Sequence, residues 1–162
     1  MTIEIIPIAH EHISRFHETL DAVARESGQL AQSEAPPLDS TKSFVTGMIE
    51  NDYPQFVAMD GEQLVGWCDA MPKESDAKTG RLGMGVLQSH RLQGIGRRLI
   101  KATLKKARAK GMQTVVLSVN VDNAPAIALY EKVHFTIAGR ETDFETGRDI
   151  YIMACPLEKA DA

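Results

Sequence analysis

The residues with the most distinctive chemistry lie between Val86 and Ile100, where an apolar strand gives way to a helix. Gly94 and Gly96 fall at the turn into the helix, and glycine lets a backbone approach a ligand closely or adopt a positive φ. A helix N-terminus presents free N–H groups and about half a positive charge, which suits a phosphate. Arg91 and Arg97 flank the turn and can add charge-assisted hydrogen bonds. This chemistry predicts a pyrophosphate site.

Two other phosphate-binding patterns do not fit the stretch. The dinucleotide fingerprint requires a third small residue at the position of Leu99. The P-loop requires Gly-Lys followed by Ser or Thr, a triplet that the sequence does not contain. A glycine-rich turn that binds no ligand is the alternative interpretation.

The chain has the length and composition of a single domain, residues 1–162. Of its 162 residues, 43% are hydrophobic and 25% are charged, which is ordinary for a globular protein with one core. The net charge of −4 argues against a general nucleic-acid-binding protein, which usually carries a basic surplus. No apolar run approaches the roughly 18 residues of a membrane helix, and no secretory signal is apparent. We therefore expect a cytoplasmic protein with no nucleic-acid or membrane partner.

Hydrophobic periodicity predicts a chain of alternating strands and helices. The predicted order is β-α-α-β-β-β-α-β-α-β-β. The strands are expected at about 2–8, 55–59, 63–70, 80–87, 114–119, 135–142 and 149–155. The helices are expected at about 10–27, 40–50, 94–110 and 124–133.

Turn residues refine these boundaries. Pro7 predicts an edge position for the first strand, and Asp60-Gly61 predicts a tight hairpin. Gly28 and Gly111 are expected to end the first and third helices. The polar stretch 73–79 is predicted to be a connection between strands.

Capping residues refine the predicted starts of two helices. Asp39 or Ser40 is expected to cap the second helix, with Phe44 and Met48 facing the core. Asn123 is expected to cap the fourth helix.

The third predicted helix is strongly basic and contains no acidic residue. One interpretation is a nucleic-acid surface, and the other is a solvated face opposite Ile95, Leu99 and Ala102, with the first arginines near a phosphate. The acidic balance of the whole chain favours the solvated face. The basic residues are Arg97, Arg98, Lys101, Lys105, Lys106, Arg108 and Lys110.

Cys68 and Cys155, the two cysteines of the chain, lie in apolar segments predicted to be strands. In a cytoplasmic protein we expect them to be buried, reduced thiols.

Two motifs and the element order resemble the GNAT superfamily of N-acetyltransferases. Arg91-Leu92-Gln93-Gly94-Ile95-Gly96 is similar to the superfamily's cofactor signature, Arg/Gln-x-x-Gly-x-Gly/Ala, between the fourth strand and the third helix. The segment from Asn123 to Phe135 is similar to the pattern Asn-x-x-Ala-x-x-Leu-Tyr-Glu-Lys-x-Gly-Phe. The matching residues are Asn123, Ala126, Leu129, Tyr130, Glu131, Lys132 and Phe135.

The resemblance implies an α/β fold with a mixed, mainly antiparallel sheet of about seven strands. Four helices flank this sheet, and its strands 4 and 5 splay apart. The implied activity is transfer of an acetyl group from acetyl-CoA, with no metal, to the primary amine of a small molecule such as an amino acid, an amine metabolite or a xenobiotic. A protein N-terminal or lysine acetyltransferase is the alternative, and a non-catalytic acyl-CoA-binding sensor is another. The resemblance also allows a homodimer.

The resemblance further implies roles for individual residues. Tyr130 corresponds to the general acid that protonates the departing thiolate, and Asn123 to a contact of the pantetheine arm. The amide of Val86, with its neighbours Gly85 and Leu87, would hold the thioester carbonyl. The implied cofactor-binding residues are Val86, Leu87, Gln88, Arg91, Leu92, Gln93, Gly94, Ile95, Gly96, Arg97, Asn123 and Tyr130.

The sequence leaves the general base open, because the predicted fourth strand contains no carboxylate. The candidates are Asp69, Glu34, His90 and a water relayed by Ser118. His90 stands where an aromatic residue is common in the superfamily, which favours a packing or surface role.

The acceptor site is expected to draw on residues 25–43, the loop after Ala70 and the hairpin near 144–147. Four acidic side chains could attract a cationic amine, and Trp67 could present a ring face to it. These acidic residues are Glu26, Glu34, Asp39 and Asp69.

The chain departs from the superfamily pattern at two glycine positions. Leu92 replaces a glycine, which is tolerable if its φ stays negative. His134 replaces the glycine before Phe135, where a left-handed conformation costs a non-glycine residue about 1 kcal/mol.

Overall fold

The computed structural model describes residues 2–27 and 34–159, so the predicted helix end at Gly28 lies outside the described residues. The strands are β1 (Ile3–Pro7), β2 (Gln55–Asp60), β3 (Gln63–Lys73), β4 (Asp76–Val86), β5 (Thr114–Asn120), β6 (Thr136–Thr142) and β7 (Asp149–Pro156). The helices are α1 (Ile13–Ser27), α2 (Leu38–Glu50), α3 (Ile95–Ala109) and α4 (Ala124–Lys132), and short 3-10 helices occupy His10–His12, Gln88–His90 and Leu157–Lys159. The predicted order of strands and α-helices is confirmed.

The strands form one seven-stranded sheet in the order β1-β2-β3-β4-β5-β7-β6. Neighbouring strands are antiparallel except β4 and β5, which are parallel. The mixed, mainly antiparallel sheet expected from the resemblance is therefore confirmed. Pro7 lies on the edge strand β1 as predicted, where the missing N–H of proline is best tolerated.

The sheet opens between β4 and β5. The two strands pair only over their first parts, and the last paired residues are Arg81 and Val116. β4 continues to Val86, while β5 pairs with β7 along its whole length, up to Asn120. This opening, which we call the β4–β5 gap, is the predicted splay.

Helices cover the sheet on both faces. Trp67 of β3 packs edge-on against Phe16 of α1, with ring centroids 5.5 Å apart, and α2 lies beside α1. The next residue, Cys68, lies against Thr103 of α3. Because successive side chains of a strand point to opposite faces, α1 and α3 lie on opposite sides of the sheet. We call these sides the α1 face and the α3 face.

The basic residues of α3 lie on its outer side. Ile95 and Leu99 are fully buried and Ala102 is half-buried, so the predicted inner side is confirmed. Lys106 is half-buried, and its Nζ lies 3.0 Å from Asp52. The exposed basic residues are Arg97, Arg98, Lys101, Lys105, Arg108 and Lys110.

Two predicted turns have the expected geometry. Gly61 follows β2 with a φ of +62°, and Gly111 follows α3 with a φ of +92°. Both values lie in the left-handed region that favours glycine. The hairpin between β2 and β3 and the end of the third helix are therefore confirmed.

The predicted start of the second helix is wrong. α2 begins at Leu38, and its first carbonyl acceptor is that of Pro37, which takes hydrogen bonds from the Ser40 and Thr41 amides at 2.9 and 3.3 Å. Asp39 and Ser40 therefore lie within the first turn instead of capping it.

Of the two residues of α2 that were predicted to face the core, only Met48 does so. Met48 is buried, but Phe44 is 36% exposed. The side of α2 that faces the core carries Thr41, Val45 and Met48, whose spacing of four and three residues leaves Phe44 outside it.

The polar stretch 73–79 is mostly strand, contrary to the prediction. β3 ends at Lys73 and β4 begins at Asp76, and these two residues face each other across the turn. The outer residues of this hairpin are exposed and polar. The polar composition of this stretch predicted a loop, but the backbones of β3 and β4 remain hydrogen-bonded to each other there.

Cys68 and Cys155 are free and buried, as predicted. Within the described residues, no helix is both long enough and apolar enough to span a membrane.

Candidate functional site

The turn between β4 and α3 contains a run of backbone amides without hydrogen-bond partners among the described residues. Leu92 has a φ of +63° and Gly94 a φ of +79°, and left-handed residues turn successive N–H groups toward one side. None of the described residues accepts a hydrogen bond from the amides of residues 92–97, which we call the amide row. The last of these amides begin α3, so the helix dipole adds positive potential. This arrangement suits an anion.

Leu92 differs from the sequence expectation. Leu92 was expected to be tolerable if its φ stayed negative, and the left-handed value shows that this condition is not met. The side chain is fully exposed, so burial does not offset the strain of about 1 kcal/mol. The strained backbone helps to direct the amide row to one side.

Glu26 holds the start of the turn against the end of α1. Its carboxylate accepts a hydrogen bond from the Gln88 amide at 3.0 Å and lies 3.7 Å from the Arg91 guanidinium. Arg91 also donates from Nε to the Val86 carbonyl at 3.0 Å. The sequence suggested Glu26 only as an acid near the acceptor, because 62 residues separate it from its partner.

Gly96 allows three elements to meet beside the amide row. A Cβ at this position would lie 3.1 Å from Leu129 of α4 and 3.3 Å from Met84 of β4. These distances are shorter than ordinary van der Waals contacts, so a side chain would push α3 away from its neighbours. Arg97 is exposed beside it, whereas Arg98 donates to the Ile3 carbonyl at 2.9 Å.

The backbone of β4 directs alternate amides into the β4–β5 gap. The Leu87 amide donates to the Val65 carbonyl of β3 at 2.9 Å. In an antiparallel ladder, every second residue makes such bonds with a given neighbour. The amides of Met84 and Val86 therefore point toward β5, on the open side. Of the three amides predicted to hold a thioester carbonyl, only that of Val86 faces the gap.

The model of the family described as "Acetyltransferase (GNAT) family" matches residues 16–135. The chain belongs to this family. The matched range contains the amide row, the gap and both sequence motifs.

Relatives of this GNAT chain are named for different acceptors. The chain is 33% identical over 107 residues to an L-methionine sulfoximine/L-methionine sulfone acetyltransferase of Pseudomonas paraeruginosa, covering 64% of this chain and 62% of the relative. It is 36% identical over 78 residues to an N-alpha-acetyltransferase of Saccharolobus solfataricus, covering 47% of each chain. The chain spans only 29% of the length of the first curated relatives that it matches.

A solved GNAT structure has the same fold. The phosphinothricin acetyltransferase of Sinorhizobium meliloti, in complex with acetyl-CoA, superposes with a TM-score of 0.84 at 18% identity, covering 96% of this chain and 89% of that one. At this identity the likeness concerns the fold alone.

Tyr130 of the second GNAT motif combines a packed ring with an unpaired hydroxyl. Its ring lies against Phe135, with centroids 5.9 Å apart. No described residue forms a hydrogen bond with the hydroxyl. Burial raises the pKa of Tyr130, and the nearby Cys68 thiol adds to this effect. The hydroxyl therefore stays protonated at neutral pH and can donate a proton.

Asn123 caps α4, as predicted. Its Oδ1 accepts a hydrogen bond from the Ala126 amide at 3.4 Å, which satisfies one of the free donors at the helix start. The two N–H groups of the Asn123 side chain remain for another partner.

Two candidate bases already have partners. His90 Nε2 lies 2.9 Å from the Asp60 carboxylate, and its other ring nitrogen lies 2.7 Å from Ser89 Oγ. This buried network agrees with the packing role expected for His90. Glu34 is exposed and accepts a hydrogen bond from Arg25 at 3.0 Å.

The side chains of the other two candidates, Ser118 and Asp69, have no hydrogen-bond partner among the described residues. Ser118 is exposed on β5. Asp69 is only 8% exposed, and no described residue donates a hydrogen bond to its carboxylate. Burial raises the pKa of Asp69 to about 7.

Proposed function

We propose that this chain transfers an acetyl group from acetyl-CoA to the primary amine of a small molecule, by direct attack in a ternary complex. The observation that carries the proposal is the unpaired amide row of residues 92–97, which lies at the end of β4 beside the β4–β5 gap. An anionic cofactor bound there would have its other end directed along the gap.

The residues fit such a cofactor. Bound acetyl-CoA would supply the thioester whose acetyl group is transferred. The amide row would hold the pyrophosphate, with charge from Arg91 and Arg97. The Val86 amide would hold the thioester carbonyl, and a donor fixed there stabilises the negative charge that develops during attack.

Tyr130 and Asn123 would complete the cofactor side of the site. The raised pKa of Tyr130 keeps its hydroxyl protonated, which a general acid for the departing thiolate requires. Asn123 would donate from its side-chain amide to the pantetheine arm, since its Oδ1 already caps α4.

A small acceptor is the better-supported choice over a protein. Relatives named for small acceptors match 64% of this chain at 33% identity (methionine sulfoximine) and 53% at 35% identity (mycothiol). Relatives named as N-alpha-acetyltransferases match 47% at 36% identity and 82% at 25% identity. Among these relatives with at least 30% identity, the longest match is to an enzyme named for a small acceptor, which favours a small amine.

The test is release of free thiol from acetyl-CoA over a panel of amino acids, polyamines, aminoglycosides and short peptides. We expect a small amine to be acetylated, and Tyr130→Phe to lower kcat by about ten- to a thousandfold with unchanged CoA affinity. A response to peptides alone would identify a protein acceptor. CoA binding without any thiol release would favour the sensor.

A further inference from the structure

A row of residues across three strands lies on the α1 face, level with the start of the β4–β5 gap. Gln55 of β2 stands directly opposite Asp69 of β3, which stands directly opposite Gly83 of β4. Directly opposed residues share one face of a sheet. The next strand position lies in the gap, because the pairing of β4 with β5 ends at Arg81.

Two members of this row are buried polar side chains without partners. The side-chain nitrogen and oxygen of Gln55 both lack a hydrogen bond. Among the fully buried side-chain polar atoms of the described residues, the Thr41 hydroxyl is the only other one without a partner. No described residue donates to the Asp69 carboxylate either. Buried polar groups in native proteins are nearly always hydrogen-bonded to protein or water, so two such side chains in one row mark a place where a polar ligand or water fits.

Gly83 leaves room beside the Asp69 carboxylate. A Cβ at Gly83 would lie 3.4 Å from Asp69 Oδ1, so the carboxylate leans over this glycine toward the gap. The 8% exposure of Asp69 means that the site is not fully closed. An amine held in the gap would approach this carboxylate from the side of Gly83.

The side chains around Asp69 leave it without a charged partner. The buried residues of α1 and α2 on this face, including Phe16, Val23 and Val45, are uncharged. Arg81 of β4 projects from the same face but is exposed. Burial is the cause of the raised pKa of Asp69, which fits this absence of charge among the described residues.

Asp69 and Tyr130 approach the gap from opposite faces of the sheet. Cys68 and Asp69 are successive residues of β3 and point to opposite sides. Tyr130 lies near the Cys68 thiol, on the α3 face. One face therefore offers a proton donor and the other a proton acceptor.

We infer that Asp69 is the base that takes the proton from the acceptor ammonium, on the face of the sheet opposite Tyr130. This inference rests on the proposed acetyl transfer and names the residue that the sequence left open. The ligand it predicts for the α1 face is a primary alkylammonium group.

The proton balance follows from these positions. One N–H bond of the ammonium breaks, and its proton moves to Asp69. The freed lone pair forms the C–N bond as the C–S bond breaks, and sulfur takes the Tyr130 proton. The second nitrogen proton leaves as the amide forms and restores Tyr130 through water. Asp69 then releases one proton to solvent for each acetyl group transferred.

The experiment compares the wild type with Asp69→Asn, which keeps the size of the side chain. The matched control is Asp76→Asn, an exposed acid at the start of the same strand pair. Each protein is assayed for kcat/KM against pH with the acceptor found by the panel, and CoA affinity is measured by calorimetry. The calorimetry also establishes that the variants are folded.

We expect Asp69→Asn to lower kcat/KM by about a hundred- to ten-thousandfold. It should also remove the rise in kcat/KM near pH 7 while leaving CoA affinity unchanged. The control variant Asp76→Asn should keep the pH profile of the wild type. An acceptor whose amine is already neutral at the assay pH should lose less than about tenfold.

Three results would overturn the assignment. The first is that Asp69→Asn keeps the dependence of kcat/KM on pH seen in the wild type. The second is that this variant loses CoA binding. The third is a wild type that binds CoA but acetylates nothing in the panel, which would also remove the proposed function. The first two leave the proposed function in place.

Discussion

Asp69 and Gly83 face each other across β3 and β4, and Asp69 Oδ1 lies 3.4 Å from the position that a Gly83 Cβ would occupy. Two residues further along β4, Gly85 faces Trp67 in the same way, but there a Cβ would lie 2.7 Å from the ring atom Cζ3. The two glycines therefore leave different amounts of space on the α1 face.

This difference predicts opposite outcomes for two alanine variants. Gly85→Ala should lower the free energy of unfolding by about 1–3 kcal/mol, because a buried indole ring cannot move away without disturbing Phe16. Gly83→Ala should change it by less than about 1 kcal/mol, because its Cβ meets only an ordinary contact. Urea unfolding of both variants measures the values, and equal losses would contradict the description of this face.

The buried carboxylate of Asp69 predicts a pH dependence of stability. Its pKa is about 7 in the folded protein and near 3.8 when unfolded, so the folded state holds an extra proton between these values. Stability should therefore fall as pH rises from about 4 to 7 and then level off. The full cost of the buried charge above pH 7 is about 4 kcal/mol.

Asp69→Asn tests this cost. The variant should lack this pH-dependent loss and should be more stable than the wild type above pH 7 by up to about 4 kcal/mol. Unfolding free energies of both proteins across this pH range give the comparison. A wild type that gains stability relative to the variant between pH 4 and 7 would mean that Asp69 has an ionic partner.

The sequence predicted most of the fold because its signals are local. Alternation, helical spacing and turn glycines such as Gly61 and Gly111 act over a few residues, and the structure confirms them. The errors arose where tertiary context decides. Phe44 is apolar but lies outside the inner side of α2, and the polar stretch 73–79 pairs as strand beyond the core.

The candidate site was predictable only in part, for the same reason. The turn at Gly94 and the cap at Asn123 follow local patterns. The contact of Glu26 with Gln88 joins residues 62 positions apart. The cross-strand row of Gln55, Asp69 and Gly83 depends on strand register, which the order of elements does not determine.

Two strained residues predict stabilising substitutions. Leu92 and His134 have φ values of +63° and +76°, in the left-handed region that favours glycine. Leu92→Gly and His134→Gly should each raise the free energy of unfolding by up to about 1 kcal/mol, since relief of strain exceeds the added freedom of the unfolded chain. Urea unfolding measures the gain. A loss of more than about 1 kcal/mol would mean that the side chain makes a stabilising contact.

The amide row predicts a specific loss of cofactor affinity in Gly94→Ala. Gly94 has a φ of +79°, and a Cβ there would meet nothing within 4 Å, so the substitution acts through the backbone alone. Strain of about 1 kcal/mol should move residue 94 away from the left-handed region and turn neighbouring amides out of the row. We expect CoA to bind up to about fivefold more weakly, as measured by calorimetry, since restoring the left-handed conformation costs about 1 kcal/mol.

Gly61→Ala is the matched control for this substitution. Gly61 has a φ of +62° and equally open surroundings, but it lies in the turn between β2 and β3. Both variants should lose about 1 kcal/mol of stability, whereas only Gly94→Ala should lose CoA affinity. Equal affinities in the two variants would show that the amide row does not hold the cofactor, and the pyrophosphate would then have to bind elsewhere on the chain.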